Sequence, residues 1–109
     1  MFAKETGMIA HDSLHDLKLR FLERCRSNIG NIKAAGDDAR ILERGELHAE
    51  IVRTVHSLAG AGGIFGFDAL SARAIDLETY LISGHELDAG KVCGLCEALG
   101  AEMQGAIDS

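Results

Sequence analysis

Apolar residues recur every three or four positions along most of the chain, which is the spacing of one face of an α-helix. Between residues 11 and 35 this pattern predicts a first amphipathic helix, which Asp12 or Ser13 could cap. The run 36–38, Gly-Asp-Asp, predicts a stop followed by a new N-cap. The predicted inward positions of this helix are Leu14, Leu17, Phe21, Leu22, Cys25, Ile29 and Ile32.

Three further apolar stripes follow. Residues 41–62 form either a single helix or two pieces joined near Gly45. A third helix begins at Asp68 and stops before Gly84, and a fourth covers residues 88–107. The predicted inward positions are Ile41, Leu42, Leu47, Ile51, Val55, Leu58 and Gly62, then Leu70, Ala74, Leu77 and Leu81, then Val92, Leu95 or Cys96, Leu99 and Met103.

Composition favours one helical domain. Of the 109 residues, 47% are hydrophobic and 26% charged, and there is no proline or tryptophan. Short turns favour antiparallel packing of neighbouring helices. We therefore expect residues 1–109 to form one all-α domain, a monomeric, antiparallel up-down four-helix bundle, with residues 1–10 as a loose leader or a short extra helix.

Net charge and hydropathy exclude several classes of partner. The formal net charge of −6 argues against nucleic acid, because binding phosphates needs a basic stripe. No apolar run approaches the ~20 residues of a membrane span, and the first ten residues lack the apolar core of a signal peptide. We expect a cytoplasmic protein with no nucleic-acid or membrane partner.

The run 55–67, VHSLAGAGGIFGF, is the most informative stretch. Four of the ten residues after His56 are glycine, and each glycine inside a helix costs about 1 kcal/mol relative to alanine. Such a pattern predicts bare backbone, so that a large partner can reach the imidazole, which is a nucleophile near neutral pH. The same-face neighbours of His56, which we expect to form a docking surface, are Val52, Arg53, Ala59, Gly60 and Gly63.

The residues of this pattern are His56-Ser57-Leu58, Gly60, Gly63-Ile64-Phe65-Gly66-Phe67, Leu70 and Leu77-Glu78. Together they resemble the histidine-phosphotransfer (HPt) family, the phosphocarriers of bacterial two-component relays, and are similar to the phosphotransfer domain of chemotaxis histidine kinases. The resemblance implies an HPt-type four-helix bundle with His56 as the phosphoacceptor. It also implies that Gly60 leaves room for the phosphoryl group, and that Glu78 accepts a hydrogen bond from the other ring nitrogen.

One position departs from the family. Many HPt sequences have a lysine three residues after the histidine, where this chain has Ala59. A cation there would help to hold a phosphoryl group of about −2 charge. Spacing along the helix suggests Arg53, one turn before His56, as a substitute.

The function that the resemblance implies is transfer of a phosphoryl group between His56 and the aspartate of a receiver domain. The implied partners are a response-regulator receiver domain, a hybrid histidine kinase, or both. The chain has no ATP-binding motif, so we expect a phosphocarrier and not an enzyme, with Mg²⁺ on the receiver and no cofactor of its own. The alternative is a helical interaction module that binds a kinase or receiver without carrying phosphate.

Two weaker signals concern metals. Cys93 and Cys96 form a CxxC pair, which would suit a metal-binding or redox protein, but there is no second pair and Cys25 is distant in sequence. An odd number of cysteines also argues against a disulfide framework. The pair His11 and His15, near two aspartates, could bind a metal weakly. We interpret both groups as structural or solvated residues and expect no metal site.

Overall fold

Across residues 2–109 the computed structural model contains four α-helices, one short 3₁₀ helix and no strand. Its described side chains begin at residue 13, so the predictions for residues 1–10, His11 and Asp12 concern side chains outside the described part of the chain. The elements are α1 (Phe2–Gly36), the 3₁₀ helix (Ala39–Glu43), α2 (Glu46–Ile64), α3 (Asp68–Leu81) and α4 (Ala89–Asp108).

The four helices close around one core, as the apolar pattern predicts. Helix α1 packs against α4 and α2, and α3 lies between α2 and α4. The largest fully buried side chains come from all four helices and the 3₁₀ helix; they include Phe21, Ile32, Ile41, Leu58, Leu70, Leu77, Leu81, Leu99 and Met103. The sequence left open whether Leu95 or Cys96 of α4 faces the core. Cys96 does, since it is 1% exposed, whereas Leu95 is only partly buried.

The inward assignment of Leu14 and Leu17 is wrong. Their exposed fractions are 60% and 48%. Helix α1 has 35 residues and is therefore about 52 Å long, whereas α4, with 20 residues, spans about 30 Å. A helix this much longer than its neighbours cannot be covered along its whole length, and Leu14 and Leu17 lie in a part of α1 that is left exposed. The continuous apolar pattern does not reveal that difference in length.

The ends of the helices follow the predicted punctuation except at the start of α1, which begins at Phe2, so the predicted cap at Asp12 or Ser13 is wrong. Asp38 caps the 3₁₀ helix by accepting a hydrogen bond from the backbone N–H of Arg40, and Asp88 caps α4 by accepting one from Lys91. The second segment is two pieces, which separate at Arg44 (φ 57°) and Gly45. Asp68 is the first residue of α3 and makes no side-chain cap, because Phe67 occupies the N-cap position.

Helices α2 and α3 approach closely at their shared end. A Cβ added at Gly62 would lie 3.1 Å from Cδ2 of Leu70, so only glycine leaves this contact undisturbed. Nearby, the hydroxyl of Ser71 donates a 2.7 Å hydrogen bond to the carbonyl oxygen of Ala59. The backbone N–H of Phe67 donates to the carbonyl of Gly62 at 2.8 Å and closes the turn between the helices. These contacts set where α3 lies along α2.

We expect Gly62→Val to destabilise the protein and Gly60→Val not to. Valine at position 62 adds a Cβ 3.1 Å from Cδ2 of Leu70 and two methyl groups beyond it, and overpacking of this kind costs about 1–3 kcal/mol. At Gly60 an added Cβ meets nothing within 4 Å, so the same substitution there is a matched control. Urea unfolding of the two variants measures the difference, and equal stabilities would contradict the close α2–α3 contact.

Candidate functional site

His56 lies on the outer face of α2, and its side chain is 76% exposed. The helix that carries it is held firmly, because the flanking Val55 and Leu58 are both fully buried. An imidazole on such a helix is open to a partner while its backbone position is fixed by the core. The predicted acceptor is therefore accessible.

Glu78 of α3 meets this ring. Its Oε2 lies 2.7 Å from Nδ1 of His56, and the carboxylate side chain is 20% exposed. Its neighbour Leu77 is fully buried and so fixes α3 at this point. When Nδ1 donates its N–H to the carboxylate, the lone pair lies on Nε2. The two ring nitrogens point to nearly opposite sides, so Nε2 faces away from Glu78. The structure thus brings together the two residues that the resemblance paired.

Four of the five predicted docking residues are at least partly exposed. Gly60 is exposed with open space around it, and Gly63 is exposed beside Ser71. Val52 is half-buried and Arg53 is exposed. These four residues lie on or at the edge of the surface that carries His56.

Ala59 is buried, so its predicted place in the docking surface is corrected. It is only 9% exposed, because α3 covers it and its carbonyl accepts the Ser71 hydroxyl. The position therefore belongs to the α2–α3 contact, and its methyl group offers little surface to a partner. Helical spacing put it on the face of His56 but could not show that α3 comes so close.

Arg24 of α1 contacts the helix that carries His56, although no sequence pattern predicts it. Its guanidinium donates a hydrogen bond to the hydroxyl of Ser57, the residue next to His56. A charged residue beside the buried Cys25 carries no signal, in one sequence, that it faces α2. That information exists only once α1 is packed in register with α2.

The cysteines form no evident metal centre. In the part of the chain with described side chains, no three His, Cys, Asp or Glu groups converge in a way that could hold a metal ion. The Cys93 thiol donates to Oδ1 of Asp37 at 3.4 Å, and this hydrogen bond raises the pKa of the thiol. Burial, assisted by Cys93 and Asp37, raises the pKa of the Cys96 thiol to about 11. Raised pKa values oppose both metal binding and nucleophilic reactivity.

We expect the thiols to be poorly reactive in the folded protein at pH 8. The thiolate fraction of Cys96 is then about 100-fold below that of a thiol with the ordinary value of 9.0, and burial slows attack further. Iodoacetamide labelling followed by mass spectrometry, with and without urea, measures this. Labelling of Cys96 in the native protein as fast as in urea would contradict this expectation.

The thiol of Cys96 also keeps its proton to higher pH in the folded protein than in the unfolded one, so the free energy of unfolding should fall as pH rises above about 9.

A comparison with protein families gives one match. The model of the Hpt domain matches residues 16–108, which is most of the chain. No curated protein and no solved structure matches this chain. Within the described part of the chain, no helix combines the length and the apolar character needed to cross a lipid bilayer.

Proposed function

This chain belongs to the Hpt domain family, whose members transfer phosphoryl groups through histidine in phosphorelays, and on that basis we propose that His56 is its phosphoacceptor. The observation that carries the proposal is the exposed imidazole of His56 with Nδ1 held by Glu78. The proposed exchange is with the aspartate of a receiver domain, alone or as part of a hybrid histidine kinase, and takes place in the cytoplasm.

The proposed step is a displacement at phosphorus. The Nε2 lone pair of His56 forms the bond to phosphorus while the bond from phosphorus to the aspartyl oxygen breaks, and the aspartate leaves as a carboxylate with the electron pair. Nδ1 keeps its proton, so positive charge develops on the ring. The carboxylate of Glu78 stabilises that charge, as the aspartate of a catalytic triad stabilises an imidazolium. The reverse step returns the phosphoryl group.

The receiver and this chain contribute different groups to the proposed reaction. The receiver supplies the aspartate and the Mg²⁺, so no cofactor is needed on this chain. This chain supplies an oriented nucleophile and an accessible surface at Gly60 and Gly63, with Arg53 at its edge. Small residues beside the ring allow the receiver pocket to close over His56, which is the arrangement that displacement requires.

We expect the protein to take up label from a phosphorylated receiver on His56 alone. The label should be acid-labile, as a phosphorus–nitrogen bond is, and absent from His56→Gln. The measurement is a mixing experiment with a 32P-labelled receiver, and His48, also on α2, provides the control variant His48→Gln, which should label normally.

Two results would contradict this assignment. Label retained in His56→Gln would place the phosphoryl group on another residue. A wild-type chain that binds the receiver but takes no label would instead support the non-phosphorylated interaction module.

Glu78→Gln should slow the transfer by on the order of 10-fold while leaving the fold intact. Glutamine can still accept a hydrogen bond from Nδ1, but it lacks the charge that stabilises the ring, and loss of such an orienting partner costs about 10–100-fold. The matched control is Asp76→Asn on the same helix, whose carboxylate pairs with Arg73. Rapid-quench kinetics measure the rates, and equal rates for the two variants would leave Glu78 without the proposed role.

A further inference from the structure

A guanidinium group from α1 contacts Ser57, the residue next to the proposed phosphoacceptor on α2. Arg24 of α1 donates a hydrogen bond to the hydroxyl of Ser57, and within residues 13–109 this is the hydrogen bond that joins side chains of α1 and α2. Glu78 approaches His56 from α3. The adjacent residues His56 and Ser57 therefore contact an anion from α3 and a cation from α1, respectively.

The position of Arg24 is set by aromatic packing one turn earlier. Phe21 is buried, and its ring centroid lies 5.8 Å from those of Phe65 and Phe67, which belong to the turn after α2. This packing fixes the register of α1 against α2. Arg24 follows three residues later on the same side of α1, and it reaches Ser57 because the register brings the two together.

The charge of Arg24 is not neutralised by a carboxylate in the described part of the chain. None of the salt bridges there includes it; its one described partner is the neutral hydroxyl of Ser57. The chain as a whole has a net charge of −6, so a cation held at Ser57, the residue after His56, is opposite in sign to the net charge of the protein. A hydrogen bond to a neutral hydroxyl is also easily exchanged for one to an anion, which is stronger.

We propose that Arg24 binds the phosphoryl group once it is on His56 and supplies the cation that this chain lacks at Ala59. This inference rests on the proposed function. A phosphoryl group on Nε2 brings about two negative charges and three acceptor oxygens to the side of the ring away from Glu78. The guanidinium leaves Ser57 and donates to those oxygens in the paired geometry that arginine favours. Arg24 thus stabilises the phosphorylated state relative to the free imidazole.

Arg53 is the competing candidate, since it lies one turn before His56 on α2. Its side chain is exposed, and no described contact holds it near the ring. The guanidinium of Arg24 is already held at Ser57, next to His56 in the chain, so less side-chain entropy would be lost when it binds the phosphoryl group. The structure therefore favours Arg24 over Arg53, and alanine variants of the two residues distinguish them.

The test is the equilibrium constant for phosphoryl exchange with a receiver, measured as the ratio of phosphohistidine to phosphoaspartate at low protein concentration. Arg24→Ala should lower this constant by about two- to fivefold, the upper part of the range for an exposed ion pair. Arg24→Lys should restore most of it, because the charge remains. The matched control is Arg26→Ala, which removes the same charge from α1 two residues away and should leave the constant unchanged.

Salt and stability distinguish charge from structure. The effect of Arg24→Ala should shrink toward nothing at 1 M salt, where the screening length is about 3 Å. Ser57→Ala removes the same interhelical hydrogen bond but keeps the cation, so it should lower the constant by clearly less than Arg24→Ala does. If Ser57→Ala instead matches Arg24→Ala at both salt concentrations, Arg24 is only a structural tie and the proposal is wrong.

Two other outcomes would overturn the proposal. A constant for Arg24→Ala equal to that for Arg26→Ala removes the role, and a larger loss in Arg53→Ala assigns it to that residue. Both results still require label on His56, so they leave the proposed function intact. Absence of label from the wild-type protein is the separate result that would end both.

Discussion

The close approach of α2 and α3 is the constraint on which the site depends. Gly62 has no side chain to separate the helices, and the Ser71 hydroxyl reaches the carbonyl of Ala59 across the gap. Two turns further along α3, this approach brings the carboxylate of Glu78 to Nδ1 of His56. Larger side chains at the contact would separate the helices and move an anion that acts only at hydrogen-bond distance.

The pair of His56 and Glu78 contributes orientation more than stability. Exposed ion pairs and hydrogen bonds add little to the free energy of folding, and the imidazole is mostly in solvent. Burying the pair would strengthen the contact but close the ring to a partner, and it would add the cost of desolvating a charge. The protein instead places a weak, exposed contact on two helices whose neighbouring leucines are fully buried. Rigidity comes from the core and access comes from the surface.

The cation that we propose for the phosphorylated site comes from a different helix than spacing suggests. Helix α1 is much longer than its neighbours, and its apolar pattern continues through Leu14 and Leu17 although both are exposed. The useful contact of this helix is in its middle, where Phe21 packs against the turn after α2 and Arg24 reaches Ser57. Aromatic packing at one turn thus sets an electrostatic contact at the next.

The amino-acid sequence by itself determined the four α-helices, their approximate ends apart from the start of α1, the buried face of α2 and the exposed position of His56. Periodicity carries this information because each residue's direction around its own helix follows from its position. Tertiary structure alone decided that Ala59 is covered, that Leu14 and Leu17 are not, and that Arg24 lies beside Ser57. These facts depend on the length, rotation and axial register of one helix against another. The register is set by contacts between residues far apart in the chain, such as Gly62 with Leu70 and Phe21 with Phe67, and a repeat within one helix does not encode it.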